Sequence, residues 1–218
     1  MDEARTAREV ASTLMEIGAV ALRLDPPFTW ASGRLSPIYC DNRLLMSHPD
    51  KRRQVARAFV ALIERSGWQP EVIAGTATAG IPHAAWVAEL MNLPMVYVRG
   101  AAKGHGKGNR IEGSLEEGRR VVLIEDLIST GGSSLEAAAA ITDSGGSLEG
   151  VAAIFTYGLT VAAGRFEEAG VALDTLTSFN VLMEVALAEG SLSAAQKAII
   201  ADWQRDPGAW SADRGGAS

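Results

Sequence analysis

Two adjacent carboxylates, Glu125 and Asp126, stand between an apolar run, Val121 to Ile124, and a turn of small and hydroxylated residues, Ser129-Thr130-Gly131-Gly132-Ser133. The apolar run has the composition of a parallel strand covered on both faces, which places the acids at its carboxyl end. In open α/β sheets that end faces the ligand crevice. Glycines let the backbone approach an anion and hydroxyls donate hydrogen bonds to it. A helix opening near Ser133 adds unpaired N–H groups and the positive end of its dipole. The order acid, acid, turn, helix suits a phosphorylated sugar whose phosphate sits in the turn. Two other phosphate motifs are excluded by inspection. No Lys follows the second glycine as in a Walker loop, and no G-x-G-x-x-G follows the strand.

Positive charge gathers in one other place. The segment RGAAKGHGKGNR carries Arg99, Lys103, His105, Lys107 and Arg110 with no acid. Its glycines make it a flexible cation able to close over an anion, with His105 suited to anion contact more than to proton transfer. Gly75-Thr76-Ala77-Thr78-Ala79-Gly80 also follows an apolar run and precedes a helix, so its backbone is a second candidate anion cradle, although such residues are common in any turn. Phe28 to Arg43, FTWASGRLSPIYCDNR, offers an aromatic surface for a planar base, and reads equally as a hairpin packed on a cap.

These residues need a scaffold. Val72 to Gly75, Met95 to Arg99, Val121 to Glu125, Val151 to Tyr157 and Leu173 to Ser178 read as strands. Helices fit between them, Ile81 to Met91 and Ser134 to Asp143 among them, which predicts a mostly parallel sheet with helices on both faces. The stretch from Gly100 to Gly118 is the one gap without a helix, and loops of that length are usually functional or disordered. Ala4 to Leu22 reads as helical, Asp25 to Arg43 as turn-rich and Val181 to Arg205 as helical, together a cap. The tail after Trp210, SADRGGAS, has nothing to pack and is expected to be mobile.

At 218 residues, 47% hydrophobic and 21% charged, the chain suits one globular domain. A net charge of -6 argues against a general nucleic-acid surface. The single cysteine, Cys40, cannot form an internal disulfide and is expected to be a packed residue in a reducing compartment. Three scattered histidines do not suggest a His-based metal site. The charged start MDEARTAREV, with Glu16 behind it, reads as neither a signal peptide nor a span, so a cytoplasmic, non-membrane protein is expected.

The segment VVLIEDLISTGGSS resembles the phosphoribosyl pyrophosphate (PRPP) signature of the type I phosphoribosyltransferases. With FTWASGRLSPIYCDNR, IAGTATAGIPHA, YVRGAAKGHGKGNRIEG and IFTYGL, the chain is similar to the bacterial orotate phosphoribosyltransferases over about residues 10 to 210. The resemblance implies the type I phosphoribosyltransferase α/β fold: a mostly parallel sheet, about 70–178, flanked by helices, with a small hood from about 1–45 and 178–210. It implies a homodimer that joins orotate to the phosphoribosyl group of PRPP in pyrimidine synthesis, with Mg²⁺ held mainly by substrate and no dedicated protein cage. By the same resemblance Glu125 and Asp126 hold the ribose. Leu127, Ile128, Ser129, Thr130, Gly131, Gly132 and Ser133 complete the PRPP site, with Ser129 also touching orotate. Arg99, Lys103 and His105 reach the pyrophosphate in the neighbouring subunit, and Lys103, His105, Glu125 and Asp126 carry catalysis. The chain departs from the enteric form of the family at Ala31, Thr78-Ala79 and Gly100, where lysine, a Tyr-Lys pair and lysine are expected. It also lacks an orotate-contacting arginine near Tyr157, for which Arg43 is a candidate substitute. Two alternatives stay open at this stage: transfer to another base, and a non-catalytic PRPP sensor.

Overall fold

The computed structural model describes residues 2–30, 32–100 and 110–217. Helix α1 (Glu3–Glu16) leads into four short strands, β1 (Val20–Leu22), β2 (Phe28–Thr29), β3 (Leu35–Ser36) and β4 (Ile38–Cys40), and a 3₁₀ turn at Asn42–Ser47. The central part runs α2 (Pro49–Arg65), β5 (Val72–Thr76), α3 (Gly80–Met91), β6 (Met95–Val98), β7 (Ile111–Glu112), β8 (Arg120–Ile128), α4 (Gly132–Asp143), β9 (Ser147–Thr156), α5 (Thr160–Glu168) and β10 (Leu173–Ser178). Helices α6 (Phe179–Ala188), α7 (Ala194–Arg205) and α8 (Pro207–Ala212) follow. No helix among the described residues is long and apolar enough to cross a membrane.

Six strands form one sheet in the order β10-β9-β8-β5-β6-β7, parallel throughout except for the antiparallel β6 and β7 pair. Period-two alternation divides the core. Val122 and Ile124 of β8 face a cluster with Phe59 of α2 and Val87 of α3, whereas Val121 and Leu123 face Ile141 of α4 and Phe166 of α5. Every residue from Val121 to Ile124 is therefore buried, which is why the run carries no polar side chain.

Four features depart from the sequence reading. The first helix ends at Glu16 and Val20–Leu22 is a strand paired with β4; Gly18, at φ +71, turns the chain between them. The turn-rich stretch after it holds two small antiparallel ribbons, β1 with β4 and β2 with β3. Helix α2, unassigned by the strand-led reading, opens on Pro49 with Asp50 in its first turn and buries Val55, Phe59, Leu62 and Ile63. The tail, expected to find nothing to pack against, packs on the β2 and β3 ribbon. Ser211 is fully buried; its Oγ accepts from the Leu35 N–H at 2.9 Å and donates to the Ala217 carbonyl at 2.5 Å, and the Ala217 N–H donates to the Gly33 carbonyl at 3.1 Å.

Candidate active site

The sheet order reverses at β5. The β5–α3–β6 unit runs one way from it and β8–α4–β9–α5–β10 the other, so the crevice of the topological switch point opens between the carboxyl ends of β5 and β8. Pairing of β8 with β5 ends at Ile124, whereas pairing with β9 continues to Ile128. Glu125 and Asp126 thus lie in the second half of β8, on the side where β5 has left it.

Gly80 sets how close the second cradle comes. A Cβ there would stand 2.5 Å from the Ile124 carbonyl oxygen and 3.5 Å from the Glu125 Cα, so only glycine lets α3 start against the backbone that carries the acids. Loop 76–79 is held beside them.

Glu125 is 5% exposed. Its Oε1 accepts the Asp126 N–H at 3.0 Å and its Oε2 accepts the Ser134 hydroxyl at 3.0 Å. Burial first, then the adjacent Asp126 carboxylate, push the Glu125 carboxyl up to about 8, while Ser134 pulls it down. Burial also raises Asp126, opposed first by its hydrogen bonding with Glu125 and more weakly by Arg43 acting at a distance. The two carboxyls compete for one proton.

Ser129 to Gly131 form the turn between β8 and α4, and Gly132 and Ser133 open the helix, whose first N–H groups face the crevice end of the sheet. Gly131 caps the helix at φ +78, and a Cβ on it would meet the Phe166 ring at 2.8 Å. From α5, the Arg165 Nη1 donates to the Thr130 carbonyl at 3.1 Å and braces the turn.

A third wall arrives from the N-terminal ribbons. Asn42 is fully buried; its Nδ2 donates to the Asp126 carbonyl at 2.6 Å and its Oδ1 accepts the Cys40 thiol at 3.3 Å. This pins β4 to β8. Beside the join lies a cavity of about 390 Å³ lined by Thr29, Trp30, Tyr39, Cys40, Leu127, Ser129 and Tyr157. A mostly apolar pocket of that size with a few polar groups takes a single planar ring. Through Leu127 and Ser129 the cavity adjoins both the acid pair and the Gly-rich turn.

The family model described as phosphoribosyl transferase domain matches residues 45–164. An orotate phosphoribosyltransferase from Listeria monocytogenes is 51% identical over 203 residues, 93% of this chain and 97% of its own. The chain belongs to the orotate phosphoribosyltransferase family. The orotate phosphoribosyltransferase of Aeropyrum pernix aligns with a TM-score of 0.73 and 26% identity, covering 84% of this chain and 99% of that one. The Mycobacterium tuberculosis orotate phosphoribosyltransferase in complex with PRPP aligns at 0.63 with 27% identity, covering 81% and 98%.

Against this family background, the structure brings together Glu125, Asp126, Leu127, Ile128, Ser129, Thr130, Gly131, Gly132 and Ser133. Arg99 stands at the end of β6, its N–H on the Arg110 carbonyl at 2.8 Å and its guanidinium 3.5 Å from Glu112 of β7. Lys103 and His105 lie outside the described residues. Arg43 forms a two-point pair with Asp41, at 2.6 and 2.8 Å, and does not line the ring cavity, so it is not placed to hold a base. Sequence reading missed Asn42, Ser134, Arg165 and the Tyr157 wall. Ser134 alone carried a local signal, one position beyond the turn. Asn42 meets Asp126 across 84 positions of chain, beyond the reach of any spacing rule.

Proposed function

We infer that the chain catalyses transfer of the 5-phosphoribosyl group from PRPP to orotate, giving orotidine 5′-monophosphate and pyrophosphate. The observation that carries this reading is the meeting of the β8 acids, the Gly-rich turn and the aromatic cavity in one crevice. The reaction replaces the bond from the anomeric carbon to pyrophosphate with one to a ring nitrogen. The carbon gains positive character as the leaving group departs. On this reading the turn and the α4 N-terminus bind the 5′-phosphate, and Asp126 and Glu125 hold the ribose hydroxyls, the negative charge that the pair retains favouring the developing cation. The cavity sets the base against the sugar and excludes water, so that orientation supplies much of the acceleration.

Arg99, Lys103 and His105 are proposed to neutralise the departing pyrophosphate in the neighbouring subunit of a homodimer. Among the described residues no cluster of three metal-binding side chains occurs, while the paired carboxylates offer hard oxygen ligands at the sugar site. That donor set fits Mg²⁺ held chiefly through substrate oxygens, with Asp126 and Glu125 at its edge. When bound, the cation screens the pyrophosphate charge. A lone thiol, Cys40, suits the cytoplasm.

The test is turnover of purified protein with Mg²⁺, PRPP and orotate, followed by loss of orotate absorbance and by the product mass. Uracil and purine bases run in parallel. Turnover with orotate is expected; turnover with another base alone would overturn the base assignment, and PRPP binding without any turnover would favour a sensor.

A further inference from the structure

Among the described residues, none that lines the cavity beside Asp126 is a lysine or arginine, so these walls offer a ring only neutral donors. Of the polar side chains in its wall, Thr29 and Tyr39 are exposed to solvent, Ser129 is half-buried, and the Cys40 thiol is engaged with Asn42. Tyr157 differs from all of them. It is 3% exposed and its backbone is fixed at both ends, the N–H on the Ile128 carbonyl at 3.0 Å and the carbonyl on the Gln204 side chain at 2.8 Å. Its ring is held edgewise against Phe155 and Trp203, at 5.3 and 5.7 Å, with Trp30 tilted against it at 5.6 Å.

Ring and backbone are therefore immobilised, yet among the described residues the hydroxyl makes no hydrogen bond. Its oxygen is not sealed inside the protein and can therefore meet a ligand. Here the same side chain lines the cavity. Burial, followed by the nearby Cys40, Tyr39 and Asp126, pushes its proton loss upward, so at neutral pH it is a donor.

We propose that the Tyr157 hydroxyl donates a hydrogen bond to the base, making Tyr157 a base-selecting residue of the cavity. This rests on the reading of function given above. Because the ring is pre-positioned, the bond forms without ordering a flexible side chain, and a ring with no oxygen at that point would leave the phenol unpaired.

Tyr157→Phe keeps the ring contacts and removes only the oxygen. The wild type is first shown to turn over orotate; if it does not, the function reading fails and this proposal falls with it. With turnover established, the variant should raise the orotate KM roughly tenfold or more, as expected for a lost bond to a charged or strongly polar acceptor. The PRPP KM, kcat and Tm should stay near wild type. An unchanged orotate KM would overturn the proposal. So would an equal rise in both KM values, or a fall in Tm matching the loss of activity, since either would make Tyr157 a packing residue.

Discussion

Replacing Gly80 by alanine would test the contact that brings the two halves of the crevice together. The added Cβ would stand 2.5 Å from the Ile124 carbonyl oxygen, whereas ordinary contact begins at 3.4 Å, so α3 or β8 must retreat by roughly an ångström. Neither can yield easily: Ile124 is fully buried, in a strand paired on both sides. Overpacking of this kind costs about 1–3 kcal/mol. Alanine recovers at most about 1 kcal/mol of helix propensity. The net is a loss of up to about 2 kcal/mol, and for a chain of this size a Tm lowered by up to about 8 °C. Activity should fall more steeply, by roughly 10- to 100-fold in kcat, because loop 76–79 and the acids move apart by a distance that matters to a reacting geometry. Gly164→Ala is the matched control: nothing lies within 4 Å of its added Cβ and it sits in helix α5, so the Tm should rise by about 1–4 °C from propensity alone. Scanning calorimetry with the turnover assay reads both. A Gly80→Ala protein as stable and active as wild type would refute the close approach of α3 to β8.

Ser134→Ala removes one of the two donors to the buried Glu125 carboxyl, and kcat/KM for PRPP should fall about tenfold, the scale of a lost hydrogen bond to a buried group. The same substitution made in Glu125→Gln should add little further, since Ser134 acts through Glu125; independent effects in that double-mutant cycle would remove Ser134 from the acid pair. Glu125 also makes the ligand-free protein pH-sensitive. Its folded value, about 8, lies above the ordinary glutamate value of 4.5, so the folded state holds the extra proton between those limits. The stability linked to it is complete below about 4.5 and is lost as pH rises through about 8. Glu125→Gln should flatten the Tm profile over that window, and a profile with the wild-type slope would show that another group carries it.

Much of the site was legible because it is contiguous in the chain. A buried strand, two acids, a Gly-rich turn and a helix start follow one another from Val121 to Ser134, and each is written in local residue types: aliphatic residues where both faces are covered, glycine where φ is positive, hydroxyls where N–H groups converge. The parallel sheet followed from the alternation of short apolar runs with helical stretches. Helix α2 was less legible, since its 17 residues separate no two strands of the sheet and its only local marks are Pro49 and Asp50.

Tertiary structure decided the rest. Gly80 reads as one more turn glycine until α3 is seen resting on Ile124, and Asn42 as a polar residue before a turn until it is found buried on the Asp126 carbonyl. The tail composition suggested disorder, yet Ser211 is enclosed because the β2 and β3 ribbon supplies the partners that its own neighbours cannot. Tyr157 took its place in the cavity wall from the convergence of β9 with Trp30 and Trp203, which come from opposite ends of the chain. Propensity and periodicity act over a few residues and fix the elements; buried hydrogen bonds and ring packing join residues far apart in sequence, and they fix which elements meet.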